Sequence, residues 1–352
     1  MLSITSRTEK AIQERVFPGC VVGIVRKNGE REILPFGHFT YENSPAVEED
    51  SMYDTASITK SIPTASLALM FIKSGRLDLT DRLIDYMPKY SNSYREEVTI
   101  KHLLTYTVDG PQLSRLKNKT LDEILGLAYS YECANKPGSR FAYSNAPALL
   151  LGLVVERVGG STLDKLAQEH FFGPLEMNNT TFFPGRNSAI YRPIAPTELN
   201  GQEEVRGIVH DESARVFAKA GKVVGHAGLF STVPDILNFM EMLLHEGEFN
   251  NKRYFSPETI REMSTNQVSG LAQSTGLGWE LNHPFMGKYA GAHTFGKTGF
   301  TGASCVCDME KGVAFAIFSN RTYPVRPKDR SAIDEFRADI ADLILAPTST
   351  WG

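Results

Sequence analysis

Strand-like sequence at both ends of a chain whose middle is helical constrains the fold more than any other feature. Near the start, Cys20 to Val25 and Arg31 to Phe36 are short apolar runs around Lys27-Asn28-Gly29, a turn that accepts positive φ and joins antiparallel strands. Near the end, Ala303 to Cys307 and Val313 to Phe318 flank Asp308 to Gly312 in the same way, and Arg330 to Ala346 reads as an amphipathic closing helix. Between them apolar residues recur at helical spacing over Ser57–Lys73, Thr99–Thr105, Leu121–Tyr129, Ala146–Val158, Leu163–Phe171 and Asp235–His245. Glycines close several of these, and Thr232 with Asp235 forms a capping pair. Gly185 to Asp211 lacks periodicity and reads as a long ordered loop.

The economical assembly is α+β. One antiparallel sheet of five or more strands comes from the two ends, flanked by the terminal helices, and a mainly helical domain comes from the middle. The expected division is 1–55 with 275–352 against 56–274. The 352 residues carry 37 Lys and Arg against 41 Asp and Glu, a net charge of −4 without a block of either sign, which argues against a nucleic-acid partner. The longest apolar run, Ala146 to Val155, has ten residues, short of the roughly 18 that span a bilayer. Charges at Arg7, Glu9, Lys10, Glu14 and Arg15 do not suit a secretory leader, so a cytoplasmic location is expected unless a leader was removed. The four cysteines form no C-x-x-C and read as reduced and structural. Oligomeric state is not readable from this sequence.

Three short motifs carry chemistry. Ser57-Ile58-Thr59-Lys60 starts a helix, where residues three apart share a face and the lysine amine reaches the hydroxyl. A lysine whose pKa is lowered by burial can take the serine proton, and a helix N-terminus favours a developing oxyanion. Tyr143-Ser144-Asn145 follows a Pro-Gly turn and supplies a phenol for proton relay and an amide for orientation. Lys297-Thr298-Gly299 lies in strand-like sequence that a substrate backbone can approach. Each motif has decoys: Ser114 to Lys117, Tyr41 to Asn43, Tyr90 to Asn92, and Lys73 to Gly75. Context separates them, since only the first set combines a helix start, a turn before an apolar helix, and a strand.

That ordered set resembles the penicillin-recognising serine hydrolases, in the branch of class C β-lactamases, D,D-peptidases and esterases. Ser51 to Ser57, Gly75 to Leu79, Thr99 to Leu104, Gly138 to Phe141 and Gly225 to Thr232 extend the likeness over about Phe17 to Arg321. The resemblance implies the β-lactamase/transpeptidase-like fold, with the active site in the cleft between the two domains, and an acyl-enzyme on Ser57. In it Lys60 is the base, Tyr143 passes the proton to the leaving group, and Asn145 orients Lys60 and substrate. The amides of Ser57 and Phe300 form an oxyanion hole, Lys297 and Thr298 bind a substrate carboxylate, Gly299 belongs to the substrate-binding set, and His226 lines the pocket. No metal or organic cofactor is called for, and the partner is a small molecule or peptide bearing a carboxylate.

Phe300 follows Lys-Thr-Gly where β-lactamases carry a small or hydroxylated residue, and Thr298 to Gly302 is more like peptidase and esterase relatives. D-alanyl peptides or β-lactams are the first expectation, a carboxylic ester the second, and a protein acylated once without turnover the third. Pro63 threatens the catalytic helix at a cost of ~3 kcal/mol unless the chain adapts. From another class, Gly291 to Thr298 fits the phosphate-loop pattern G-x-x-x-x-G-K-[ST], which requires a helix after the loop. His210-Asp211-Glu212 and His226 invite a metal reading, for which loop hydrogen bonding is the simpler account.

Overall fold

The computed structural model describes residues 3–42, 44–116, 118–185 and 193–347. Its main sheet has six antiparallel strands: β1 (Gly19–Arg26), β2 (Arg31–Gly37), β3 (Glu280–Leu281), β4 (Thr294–Thr298), β5 (Ser304–Asp308) and β6 (Val313–Ser319). They lie in the order β2-β1-β6-β5-β4-β3. The two ends therefore meet at the β1–β6 pair, where Cys20 faces Ser319 and Arg26 faces Val313.

Side-chain alternation divides the sheet between two cores. On one face Cys20, Val22 and Ile317 pack on Ala11 of α1 (Ile4–Gln13) and on Ile333, Phe336 and Ile340 of the closing helix Ser331–Leu345. On the other, Val21, Val25, Phe295, Cys305 and Phe318 join one large cluster that continues into the helical middle of the chain. Helix Val233–Leu244 lies directly on this face. A Cβ at Gly23 of β1 would stand 2.3 Å from Val233, so only glycine allows that approach. Thr232 caps this helix through the backbone of Asp235, as its sequence suggests.

The helix expected over Ser57–Lys73 is interrupted. A 3₁₀ turn, Ala56–Lys60, is followed by extended backbone at Ile62 (φ −117°, ψ 109°) and a cis peptide to Pro63, and the α-helix proper runs Ser66–Lys73. The chain accommodates Pro63 by breaking the helix just after the serine–lysine turn. Two amphipathic helices absent from the sequence expectation, Glu212–Lys219 and Pro257–Ser264, are present, and in the expected loop Gly185–Asp211, of which residues 186–192 lie outside the described ones, Leu199–Asn200 and Glu203–Glu204 pair as a small hairpin. Among the described residues no single helix is long and apolar enough to cross a membrane.

Candidate active site

Ser57 stands on the 3₁₀ turn immediately after Ala56, whose φ of 47° is left-handed, a conformation that costs an L-residue on the order of 1–2 kcal/mol. The buried carboxylate of Asp54 holds that geometry, accepting from the Ala56 amide at 2.8 Å and the His210 amide at 2.7 Å. One turn on, Lys60 is buried, with Nζ 2.8 Å from Ser57 Oγ and 2.9 Å from the carbonyl oxygen of His226. Burial pushes the Lys60 pKa below the ordinary lysine value; Tyr143 opposes this and the charge of Lys297 reinforces it.

Tyr143 projects its ring over both amines, 4.5 Å from Lys297 Nζ and 5.3 Å from Lys60 Nζ. Desolvation raises the pKa of this phenol, but attraction to Lys297 and then Lys60 outweighs it, leaving Tyr143 below the usual tyrosine value. Ser57, Tyr143, Asn145, Thr298, Gly299 and Phe300 all line one cleft of about 620 Å³. Gly299 is required sterically: a Cβ there would stand 2.3 Å from the Thr55 carbonyl oxygen, two residues before the serine.

Three expected roles need correction. Lys297 does not offer its charge to the cleft: it is fully buried, its Nζ is 2.7 Å from Glu280 Oε1, and it donates to the Tyr106 hydroxyl at 3.1 Å. Desolvation favours its neutral form, yet the Glu280 carboxylate overrides this and holds it charged, with a pKa above the ordinary lysine value. The His226 side chain faces the interior rather than the pocket, with Nε2 at 3.0 Å from Ser213 Oγ and 3.3 Å from Asp211 Oδ1; what reaches the site is its carbonyl. Asn145 donates its amide to Asp211 Oδ2 at 3.0 Å instead of bonding Lys60.

Asp211, singled out in the sequence only as a metal-ligand candidate better explained by loop hydrogen bonding, does make such bonds and through them joins two parts of the site. Its carboxylate also caps helix Glu212–Lys219 through the Ala214 amide. Desolvation raises its pKa, but hydrogen bonding and attraction from His226 dominate and keep it ionised. Glu280, Tyr106, Arg321 and Arg337 were also missed, because nothing local in the sequence ties them to the motifs. The buried Arg337 guanidinium, from the closing helix, donates to the carbonyls of Gly299 at 3.0 Å and Ala303 at 2.8 Å and so pins the turn that presents Phe300.

The phosphate-loop alternative fails on geometry. Thr294–Thr298 is a strand paired on both edges, and Gly299 leads through a tight turn into β5, with no helix to hold a phosphate. Among the decoys, Lys117 and Asn43 lie outside the described residues. Tyr90 is buried and accepts a bond from Asn92, and Lys73 to Gly75 ends a helix with Gly75 at φ 70°. All four cysteines are buried and free of disulfides, and burial raises the Cys305 thiol to about 12.

The Beta-lactamase family profile matches residues 5–338. An Escherichia coli K12 protein named "Putative D-alanyl-D-alanine carboxypeptidase" is 30% identical over 310 residues, covering 78% of this chain and 70% of that one. A Salmonella typhimurium protein of the same name is 27% identical over 340 residues, covering 86% and 76%. Among solved structures, an octameric penicillin-binding protein homologue from Pyrococcus abyssi superposes with a TM-score of 0.78 at 22% identity, over 97% of this chain and 76% of that one. EstCE1, described as a hydrolase with promiscuous acyltransferase activity, superposes with a TM-score of 0.74 at 21% identity, over 96% and 97%. The fold is the β-lactamase/transpeptidase-like fold.

Proposed function

The chain belongs to the β-lactamase family and is a serine hydrolase, and from that premise we propose that it is a D,D-carboxypeptidase-type enzyme that cleaves D-alanyl peptides through an acyl-enzyme on Ser57. One observation carries this reading: Lys60 Nζ lies 2.8 Å from Ser57 Oγ, in a buried site where its pKa is lowered toward that of a usable base.

The neutral amine of Lys60 takes the Ser57 proton as Oγ attacks the scissile carbonyl carbon. The amides of Ser57 and Phe300 stabilise the oxyanion. Tyr143, beside both amines, hands a proton to the departing nitrogen as the carbon–nitrogen bond breaks, leaving an ester on Ser57. Water adds to that ester, its proton leaving by the same groups, and Ser57 is regenerated. Asp211 fixes one amide hydrogen of Asn145, so that the Asn145 carbonyl and its second hydrogen remain for substrate.

A carboxylesterase is the second reading, favoured by the pairing of Lys297 with Glu280, which removes one free cation from carboxylate recognition. The experiment compares wild type with Ser57→Ala on a peptide ending in D-alanyl-D-alanine, a fluorescent penicillin, a chromogenic cephalosporin and a short-chain nitrophenyl ester. Peptide cleavage with slow release of the penicillin adduct supports the carboxypeptidase; rapid cephalosporin hydrolysis means a β-lactamase, and ester cleavage alone means an esterase. Activity undiminished in Ser57→Ala overturns the nucleophile.

A further inference from the structure

Asn145 occupies the N-cap position of helix Ala146–Gly159, where an asparagine side chain ordinarily accepts a backbone amide of the first turn. Here it makes no such bond. It lines the cleft together with Asp211 and donates to Asp211 Oδ2 at 3.0 Å.

The two oxygens of Asp211 are used differently. Oδ1 accepts from the Ala214 amide at 2.9 Å, capping helix Glu212–Lys219, and from Ser213 Oγ at 2.6 Å, and it lies 3.3 Å from His226 Nε2. One oxygen completes the cap, so the helix does not account for the contact of Oδ2 with Asn145. The position of this carboxylate is also tied to the reacting groups. The amide of the preceding residue, His210, donates at 2.7 Å to Asp54, the same carboxylate that holds the Ala56 amide beside Ser57 at 2.8 Å. His226, whose ring meets Asp211, accepts from Lys60 Nζ at 2.9 Å through its carbonyl oxygen.

The two ends of an asparagine amide are nearly equal in size, so shape alone does not decide which of them faces a substrate. An ionised carboxylate decides it, because it only accepts. Beside Asp211, which its hydrogen bonds and His226 keep ionised, the Asn145 amino group is attracted and its oxygen repelled. A half-turn of the amide is thereby disfavoured. What remains free is one oxygen and one N–H, the complement of the N–H and carbonyl of a secondary amide.

We propose that Asp211 is a positioning residue that fixes the orientation of the Asn145 amide, and that through it the enzyme favours acyl groups carrying a secondary amide on the carbon next to the scissile carbonyl. This rests on the acyl-enzyme on Ser57 proposed above and names a residue that governs which acyl groups reach it.

The test measures kcat/KM for the nitrophenyl esters of N-acetyl-D-alanine and of propionic acid, which share an acyl chain and differ in the acetamido group, each divided by the uncatalysed rate of that ester. The proteins are wild type, Asp211→Ala, Asp211→Asn, Asn145→Ala and the double variant Asp211→Ala with Asn145→Ala. The ratio between the esters does not depend on the fraction folded, and the pull of the Asp211 charge on Lys60 is common to both. The wild type favours the acetamido ester by about tenfold, the range of one or two hydrogen bonds. Asp211→Ala brings the ratio to within about threefold of one, and Asp211→Asn, which can donate as well as accept, keeps an intermediate value. Asn145→Ala and the double variant give the ratio of Asp211→Ala, since all three lose the same contact. A wild type without preference, a full ratio in either Asp211 variant, or a double loss equal to the product of the single losses overturns the positioning role. A peptide ending in D-alanyl-D-alanine is followed alongside. If it is not cleaved, the carboxypeptidase reading fails, and the ester ratios still decide on Asp211.

Discussion

Lys297 Nζ sits 2.7 Å from Glu280 Oε1, with the lysine side chain fully buried and the glutamate 8% exposed. Removing either partner strands a charge in the interior, which costs about 3–5 kcal/mol for buried pairs, whereas removing both with matched volume is far milder. Chemical unfolding of Lys297→Met, Glu280→Leu and the double variant should therefore show two large single losses and a double loss well below their sum. Additive losses would mean that the two side chains do not act as a pair.

The pH profile follows from the same charges. Lys60 must be neutral and Tyr143 protonated at the start of the reaction, so kcat/KM should be bell-shaped. The acidic limb should lie below the ordinary lysine pKa and the basic limb below the ordinary tyrosine pKa, each belonging to the coupled set rather than to one residue. The Lys297 cation lowers both values, so Lys297→Met should move both limbs toward higher pH. Unmoved limbs would separate Lys297 electrostatically from the reaction.

Gly299→Ala should be among the most damaging small substitutions. The added methyl meets the Thr55 carbonyl at 2.3 Å, and both the serine turn and the strand end that bear on the oxyanion must move apart. Overpacking of this kind costs about 1–3 kcal/mol, and acylation should fall by more than the melting temperature suggests, because the displaced groups are the reacting ones. Stopped-flow acylation and thermal unfolding on one preparation check this.

What the sequence reveals depends on whether the information is local. Ser57 with Lys60, and Tyr143 with its turn, are within a few residues of each other, so helix pitch and turn chemistry expose them directly. The paired strands at the two ends show through short apolar runs on either side of turn sequences, and the sheet follows. Glu280 and Tyr106 act on Lys297 from positions 17 and 191 residues away, and neither spacing has a periodic meaning. The same is true of Arg337, whose partner Gly299 is 38 residues distant. His226 was misplaced because a polar residue beside the cleft in sequence is not bound to face it. Its buried partners Ser213 and Asp211 turn the ring inward and leave the carbonyl for Lys60. The break at Ile62 is written in Pro63, but whether the chain kinks or re-forms there depends on the packing around it.

The central claim is a covalent ester on one oxygen. Intact-mass measurement after incubation with a fluorescent penicillin, followed by peptide mapping, reads it directly. The account predicts a mass increase equal to one penicillin, on the peptide containing Ser57, absent in Ser57→Ala and strongly slowed in Lys60→Ala. An adduct of the same size that persists in Ser57→Ala, or maps to any other residue, would contradict it.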